Sequence, residues 1–324
     1  MDALLSNSTS SLVALSSLVV AASLICLFPS LMSMTRRLDW TGKHVLVTGA
    51  SKGLGRSLAL QLAVQQGAKV TVVARGKQDL DDVVADIVAG GGVGFAVPCD
   101  VTDATASEAA VRAAVDKFGS VDALFCCAGQ ALTGRFVDRT VADFSAQLQL
   151  NYMGAVHFLK IVVPDMMARK SGRVVLCASQ AAFMSCVGYA AYSPSKYALR
   201  GLGDALRNEL LPYDVAVHVL FPGNMNTPGF EIEQLTKPAE TKEIEAGEAL
   251  QTPDAVAAAS LDSLRKGEYQ VYGGNLSGYL MGRMAQGVAP RSSVFTDIIT
   301  APFLVVIGWG IRVFVLDKAA TRAR

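Results

Sequence analysis

An α/β fold with one doubly wound parallel sheet, helices on both of its faces, is what this sequence predicts, and three observations carry the prediction. From His44 onward, short apolar runs alternate with longer amphipathic stretches. Most of the short runs are apolar at nearly every position, as strands covered on both faces must be. The first of them, Val45-Leu46-Val47, leads straight into a glycine-rich turn and then a helical stretch.

Taken in order, the strand candidates are His44–Thr48, Lys69–Ala74, Phe95–Val97, Asp122–Cys126, Arg173–Ala178, Val215–Leu220 and Tyr269–Tyr272. Helical periodicity falls between them at Leu54–Gln66, Asp79–Ala89, Ala104–Phe118, Val141–Met167, Ala190–Leu211 and Asp254–Arg265. Gly90-Gly91-Gly92 reads as a loop. The segment 224–252 is polar, contains Pro and Glu, and follows the sixth strand, where a lid over a substrate belongs.

Composition bounds the rest. The 324 residues are 51% hydrophobic, enough for a single domain of about 250 residues plus extensions. Lys and Arg number 29 against 28 Asp and Glu, a net charge of +1, which excludes a broad nucleic-acid footprint. Mean hydropathy of +0.36 is high for a soluble protein and points to the chain ends. Residues 12–32 carry no charge, and a helix of about 20 residues spans a bilayer's apolar core. Only Asp2 precedes that run, without the basic flank of a cleaved signal, and Arg36 and Arg37 follow it. The expectation is an N-terminal transmembrane anchor at 1–38, a cytosolic folded domain at 39–290 and an apolar membrane-associated tail at 291–324. In that tail Ile298–Leu316 is interrupted by Pro302, Gly308, Gly310 and Arg312, and Lys318, Arg322 and Arg324 follow. A helix or hairpin dipping into one leaflet is expected, with a full span or a buried dimer helix as alternatives. The six cysteines form no CxxC or Cys/His cluster, so buried thiols are expected and no metal.

The turn reads Gly49-Ala50-Ser51-Lys52-Gly53-Leu54-Gly55. Glycines let a backbone approach a pyrophosphate, which rests on the positive helix N-terminus. Residues Gly49, Ser51, Lys52, Gly53, Leu54 and Gly55 are therefore candidates for binding a dinucleotide. An acid about 20 positions on would bond the 2′-hydroxyl of NAD. Arg75 ends the second strand instead, and a guanidinium suits the extra phosphate of NADPH. Lys52 is a second cation in reach; a solvated strand end is the alternative for Arg75.

Tyr192 and Lys196 lie four residues apart, one helical turn, and share a face. A phenol near an ammonium can give up its proton more readily, as ketone reduction requires. Ser179, at the end of the fifth strand, can donate to a substrate carbonyl. With the glycine-rich turn, these residues resemble the short-chain dehydrogenase/reductase family, a Rossmann-type fold. The resemblance implies catalysis by Ser179, Tyr192 and Lys196, with Asn151 completing a proton relay through a water held to the lysine. It implies further cofactor contacts from Asp100, Val101, Ala128, Gly129, Tyr192, Lys196, Pro222, Gly223 and Thr227. It also implies that the helices at Ala104–Phe118 and Val141–Met167 could pair two copies. One departure is Cys126-Cys127 where the family has Asn-Asn, which puts the hydrogen bonding of the central sheet in question.

Thr227-Pro228-Gly229-Phe230-Glu231, Thr236-Lys237-Pro238, Glu240-Thr241, Gly278-Tyr279 and Gly287-Val288-Ala289-Pro290 are similar to the branch of that family acting on 3-ketodihydrosphingosine. The similarity implies NADPH-dependent reduction of a long-chain lipid ketone at the cytosolic face of the endoplasmic reticulum membrane. A membrane-bound steroid or retinoid reductase, and a silent NADPH-binding scaffold, are the alternatives. Glu231 and Glu233 are candidates for the substrate ammonium, against a plain solvated lid surface.

Overall fold

The computed structural model of the chain describes residues 38–285 and 294–318. The expected anchor at 12–32, Arg36, Arg37 and the 287–290 stretch lie outside the described residues.

Seven strands form one sheet: β1 (His44–Thr48), β2 (Lys69–Ala74), β3 (Val93–Pro98), β4 (Ala123–Cys126), β5 (Gly172–Cys177), β6 (Val215–Leu220) and β7 (Gln270–Val271). Their order is β3-β2-β1-β4-β5-β6-β7, and every neighbouring pair is parallel. The order reverses between β1 and β4, which opens a crevice at their C-terminal ends. Successive side chains of β1 serve opposite faces: Val45 and Val47 enter one core, Leu46 the other.

One face is covered by α1 (Gly53–Leu60), α2 (Lys77–Ala89) and α9 (Pro253–Arg265), through Leu58, Leu80 and Val256. The other is covered by α3 (Ala104–Phe118), α5 (Gly154–Arg169) and α6 (Tyr192–Leu210), through Ala110, Phe158 and Leu199. The predicted strands are all present, β3 starting two residues earlier than its apolar run and β7 shorter than expected.

Two predicted helices are less regular than their periodicity implies. The stretch after Gly53 finishes in a π-turn at Gln61–Gln65. The long stretch from Val141 is α4 (Val141–Leu148), a π-turn at Gln149–Met153, then α5. The expected lid consists of two short helices, α7 (Pro228–Thr236) and α8 (Ala239–Glu245). Thr227 caps α7 by accepting the Phe230 N–H at 3.1 Å, and Pro228 occupies the first turn, where its missing N–H costs nothing. A further helix, α10 (Leu276–Met284), was not apparent from periodicity.

The tail is one helix, α11 (Val294–Gly310), continuing through a π-turn at Ile311–Asp317. Its Pro302 and two glycines do not turn it into a hairpin. Ile299–Asp317, 19 residues at mean hydropathy 2.0, is long and apolar enough to cross a membrane by length and composition. Phe303, Val305, Val306, Trp309 and Phe314 all stand exposed on it.

Candidate active site

The C-terminal end of β1 delivers the chain into the glycine turn, and packing there dictates the residue type. Gly49 has φ +67°, and a Cβ on it would lie 2.6 Å from the Ala128 nitrogen. A Cβ on Gly55 would run into the Gly49 carbonyl oxygen. The turn is thus pressed between the end of β4 and its own helix, leaving the start of α1 open to the crevice. That is the shape a dinucleotide's phosphates demand, so these residues fit the group.

Farther out, Arg75 is exposed at the end of β2, beside the crevice. Lys52 Nζ lies 3.1 Å from Asp79 Oδ2, so its charge is shared with the first turn of α2. Asp100 accepts the Thr102 N–H at 3.0 Å and the Thr102 hydroxyl at 2.8 Å. Those bonds, and then the Arg75 charge, hold its carboxyl below the usual range. Val101 is buried, and its carbonyl faces His157 Nδ1 at 2.9 Å.

The expected catalytic residues converge on one cleft of about 780 Å³ that also contains the glycine turn. Ser179 follows β5, and its Oγ accepts the Ala181 N–H at 3.1 Å. Its own proton therefore remains for an acceptor in the cleft. Tyr192 opens α6; burial pushes its phenol above the ordinary value, and a hydrogen bond from Ser179 pulls it down. Lys196, one turn later, is buried and donates to the Cys177 carbonyl at 2.9 Å, with Nζ 5.7 Å from the Tyr192 ring centre. Burial is the largest influence on the phenol, and the Lys196 ammonium is engaged here by the Cys177 carbonyl. Burial in turn lowers the Lys196 pKa.

Asn151 sits in the π-turn between α4 and α5, with almost no exposure. Its Oδ1 accepts the Gln130 N–H at 2.9 Å, and its Nδ2 donates to Ser195 Oγ at 2.9 Å and to the Gln130 carbonyl at 3.1 Å. Ser195 passes the link on by donating to the Tyr192 carbonyl at 2.6 Å. Gly129 explains its own identity: a Cβ there would lie 2.8 Å from Asn151 Oδ1 and 3.2 Å from Lys196 Nζ. Pro222, Gly223 and Thr227 border the same cleft from the β6 side.

The Cys126-Cys127 departure is accommodated by a threonine. Thr48 Oγ1 accepts the Ala128 N–H at 3.3 Å and donates to the Phe125 carbonyl at 3.4 Å, tying β1 to the turn after β4. Cys127 and Cys177 are free thiols that share a hydrogen bond beside Lys196. That bond and the ammonium pull Cys177 down, while the same bond and burial push Cys127 up.

A sequence profile described as short chain dehydrogenase matches residues 43–237. The chain belongs to the short-chain dehydrogenase/reductase family. Among members of the family, the Bos taurus protein named 3-ketodihydrosphingosine reductase is 36% identical, covering 89% of this chain and 87% of that one. The Danio rerio protein named 3-dehydrosphinganine reductase is 34% identical, covering 86% of each chain. A solved Burkholderia phymatum short chain dehydrogenase/reductase in complex with NAD superposes with a TM-score of 0.69. At 21% identity, covering 78% of this chain and 95% of that one, it speaks for the fold.

Within this short-chain dehydrogenase/reductase cleft, several lining residues were beyond sequence reasoning. Tyr189 and Glu245 border it next to Tyr192, together with Glu233, one of the two lid carboxylates singled out from sequence. Glu231, the other, is exposed and lies outside the lining. The lining also has an apolar part, formed by Leu280, Met281 and Met284 with Ile307, Ile311 and Val315 of the tail. No local motif marks these contacts, since they join segments distant in sequence.

Proposed function

We propose that the protein is a membrane-associated reductase that uses NADPH to convert 3-oxosphinganine (3-ketodihydrosphingosine) to sphinganine. The observation that carries this reading is a single cleft lined both by Ser179, Tyr192 and Lys196 and by a wall of six apolar side chains from α10 and the tail. A short polar ketone leaves such a wall unused; a long alkyl chain fills it, gaining about 0.8 kcal/mol per buried CH₂. The names of the bovine and zebrafish relatives support the sphingoid ketone as the particular lipid.

In the reaction, Ser179 turns its proton from the Tyr192 oxygen to the ketone oxygen and polarises the carbonyl. Bound NADPH supplies the hydride to the carbonyl carbon. Tyr192 gives its phenolic proton to the same oxygen as negative charge gathers there. Lys196 stands against the Tyr192 ring, where its ammonium steadies the phenolate left behind and can bond the cofactor's ribose. Asn151, fixed through Gln130 and Ser195, sits beside Lys196 at the end of a path for the returning proton. Gly49, Ser51, Gly53, Leu54, Gly55, Ala128, Gly129, Pro222, Gly223 and Thr227 line the cleft and would hold the dinucleotide, with Asp100 and Val101 placed to receive its adenine. Arg75 and Lys52 select the 2′-phosphate; the exposed guanidinium beside the crevice supports NADPH over NADH.

The uncharged run 12–32 and the exposed apolar surface of α11 support attachment to the endoplasmic reticulum membrane, with the folded domain in the cytosol. Protease added to sealed microsomes should digest the folded domain without detergent; protection would overturn that orientation. The function itself is tested by giving purified protein NADPH with, separately, 3-oxosphinganine, a steroid ketone and retinal. NADPH oxidation with the sphingoid ketone is expected. Turnover confined to the steroid or retinal, or NADPH binding with no turnover, would overturn the reading.

A further inference from the structure

The lid contributes an ionic cluster that proton and hydride transfer do not use. Lys237, just past α7, is buried to its tip, with Nζ 2.7 Å from Glu233 Oε1 and 2.5 Å from Glu245 Oε2. The Tyr189 hydroxyl lies 2.5 Å from Glu233 Oε1 and 2.6 Å from Glu245 Oε1. A phenol has one proton, so it donates fully to only one of these carboxylates. Two carboxylates against one ammonium leave the cluster one negative charge in excess, in a place largely shielded from water. Excess buried charge is costly unless a partner completes it.

Position and open valence indicate what that partner is. Tyr189, Glu233 and Glu245 all line the cleft with Ser179 and Tyr192, and the Tyr189 and Tyr192 rings are 5.8 Å apart. Both bonds to Glu233 fall on Oε1, so Oε2 has no partner among the described residues. Gln180, the residue after Ser179, adds an independent observation: it lines the same cleft, is 7% exposed, and its amide nitrogen has no acceptor among the described residues. An open anionic oxygen and an open neutral donor within one cleft call for a ligand head bearing both a cation and an oxygen.

We propose that Glu233, supported by Glu245 and Lys237, receives an ammonium carried on the carbon next to the ketone. The cluster thereby selects α-amino ketones over plain long-chain ketones. This deepens the sphingoid reading above and rests on it. With the ketone oxygen on Ser179 and Tyr192, a substituent one carbon away has the neighbouring Tyr189 side of the cleft within reach. Lys237 acts as the counter-charge that lets two carboxylates be buried together, and Tyr189 fixes their orientation. Negative charge on Glu233 also opposes ionisation of Tyr192, an effect that a bound ammonium removes.

The test is a ratio measured on the full chain with NADPH. Its numerator is kcat/KM for a long-chain 2-amino-3-ketone, and its denominator kcat/KM for the same ketone without the amine. Glu233→Gln leaves Lys237 and Glu245 as a neutral pair, so the lid retains its latch while the excess charge is gone. The ratio should fall at least tenfold, about the effect of losing one charged hydrogen-bond partner. A cluster that only latches the lid would move both substrates together, and an unchanged ratio overturns the proposal. Product inhibition of the unmodified protein reads the same feature without any variant. A long-chain 2-amino-1,3-diol should inhibit at least tenfold more tightly than the corresponding 1,3-diol, and equal inhibition overturns the proposal. If the protein reduces neither ketone, the proposed function fails, whereas direct titration of the protein with the two diols, followed by its intrinsic fluorescence, still decides the recognition of the amine: equal affinities overturn it.

Discussion

Tyr192 carries the phenol that Ser179 hydrogen-bonds, and replacing it by Phe keeps the ring while deleting the proton. Tyr192→Phe should therefore retain NADPH binding, measured by fluorescence titration, and lose more than nine-tenths of kcat. Survival of a tenth or more would show that another group supplies the proton. Arg75 makes a different kind of contribution. It is exposed, so in the proposed NADPH enzyme its effect would come from the cofactor's 2′-phosphate rather than from packing. Arg75→Gln should raise KM for NADPH ten- to a hundredfold, the equivalent of about 1.5–3 kcal/mol, and barely alter KM for NADH. An equal change for both cofactors would remove Arg75 from phosphate recognition. These residues were legible in the sequence because chemistry restricts their type and helix geometry restricts their spacing. Tyr189, Glu245 and Lys237 were not, because each has its meaning only through partners brought close by the lid. Tyr189 reaches across 44 positions to Glu233 and 56 to Glu245, and no periodicity records such a pairing.

Elements with apolar faces on both sides were legible almost to the residue, as β1, β2 and β6 are, because two cores demand uninterrupted apolar runs. The π-turn at Gln149–Met153 was hidden inside a helical pattern, since widening one turn shifts the facing by a single residue. It is the device that carries Asn151 out of the regular helix ladder and onto Gln130 and Ser195. Asn151→Ala would leave the Gln130 N–H without its acceptor, a loss of about 1–3 kcal/mol. A lowered melting temperature together with a lower kcat is expected; unchanged values of both would separate the turn from the site. At the β5–β6 pair, His218 is buried between the Arg173 guanidinium and the Glu268 carbonyl. Burial first, and then the Arg173 charge, push its pKa from 6.5 down to about 3. The unfolded chain takes up the proton near 6.5, so this stability is full above that pH and is lost as pH falls toward 3. Each unit in that window removes about 1.4 kcal/mol. His218→Gln should flatten the pH dependence of the urea midpoint between pH 7 and 4; an unchanged slope would mean that other groups control acid unfolding.

On the scale of the whole molecule, the sheet order places the cofactor turn and the Ser179–Tyr192–Lys196 group at one end of the sheet, and the lid and tail complete the cleft around them. The sequence announced the tail only as apolar; that it forms part of the cleft wall depends on a tertiary contact between α10 and α11. Ile307, Ile311 and Val315 recur every four residues and all line the cleft, as one helical face should. Phe303 and Val306 lie outside that lining and are about two-thirds exposed, at 67% and 66%. One helix thus presents one apolar surface to the cleft and another outward, an arrangement that would suit the membrane-associated reductase proposed above. The two surfaces can be separated by experiment. Phe303→Asp with Val306→Asp should lower co-sedimentation with phosphatidylcholine vesicles while KM for a water-soluble, short-chain ketone stays within about twofold, because charge in the acyl region is expensive but the cleft is untouched. Ile307→Ala with Ile311→Ala should do the reverse. Vesicle binding should persist, and KM should rise for long-chain ketones and not for short ones, since only a long chain reaches that wall. Removing buried methylenes at about 0.8 kcal/mol each makes the expected rise roughly tenfold or more. If both double variants changed vesicle binding and long-chain KM in parallel, the tail would be a simple anchor and the wall of the cleft would have to come from α10 alone.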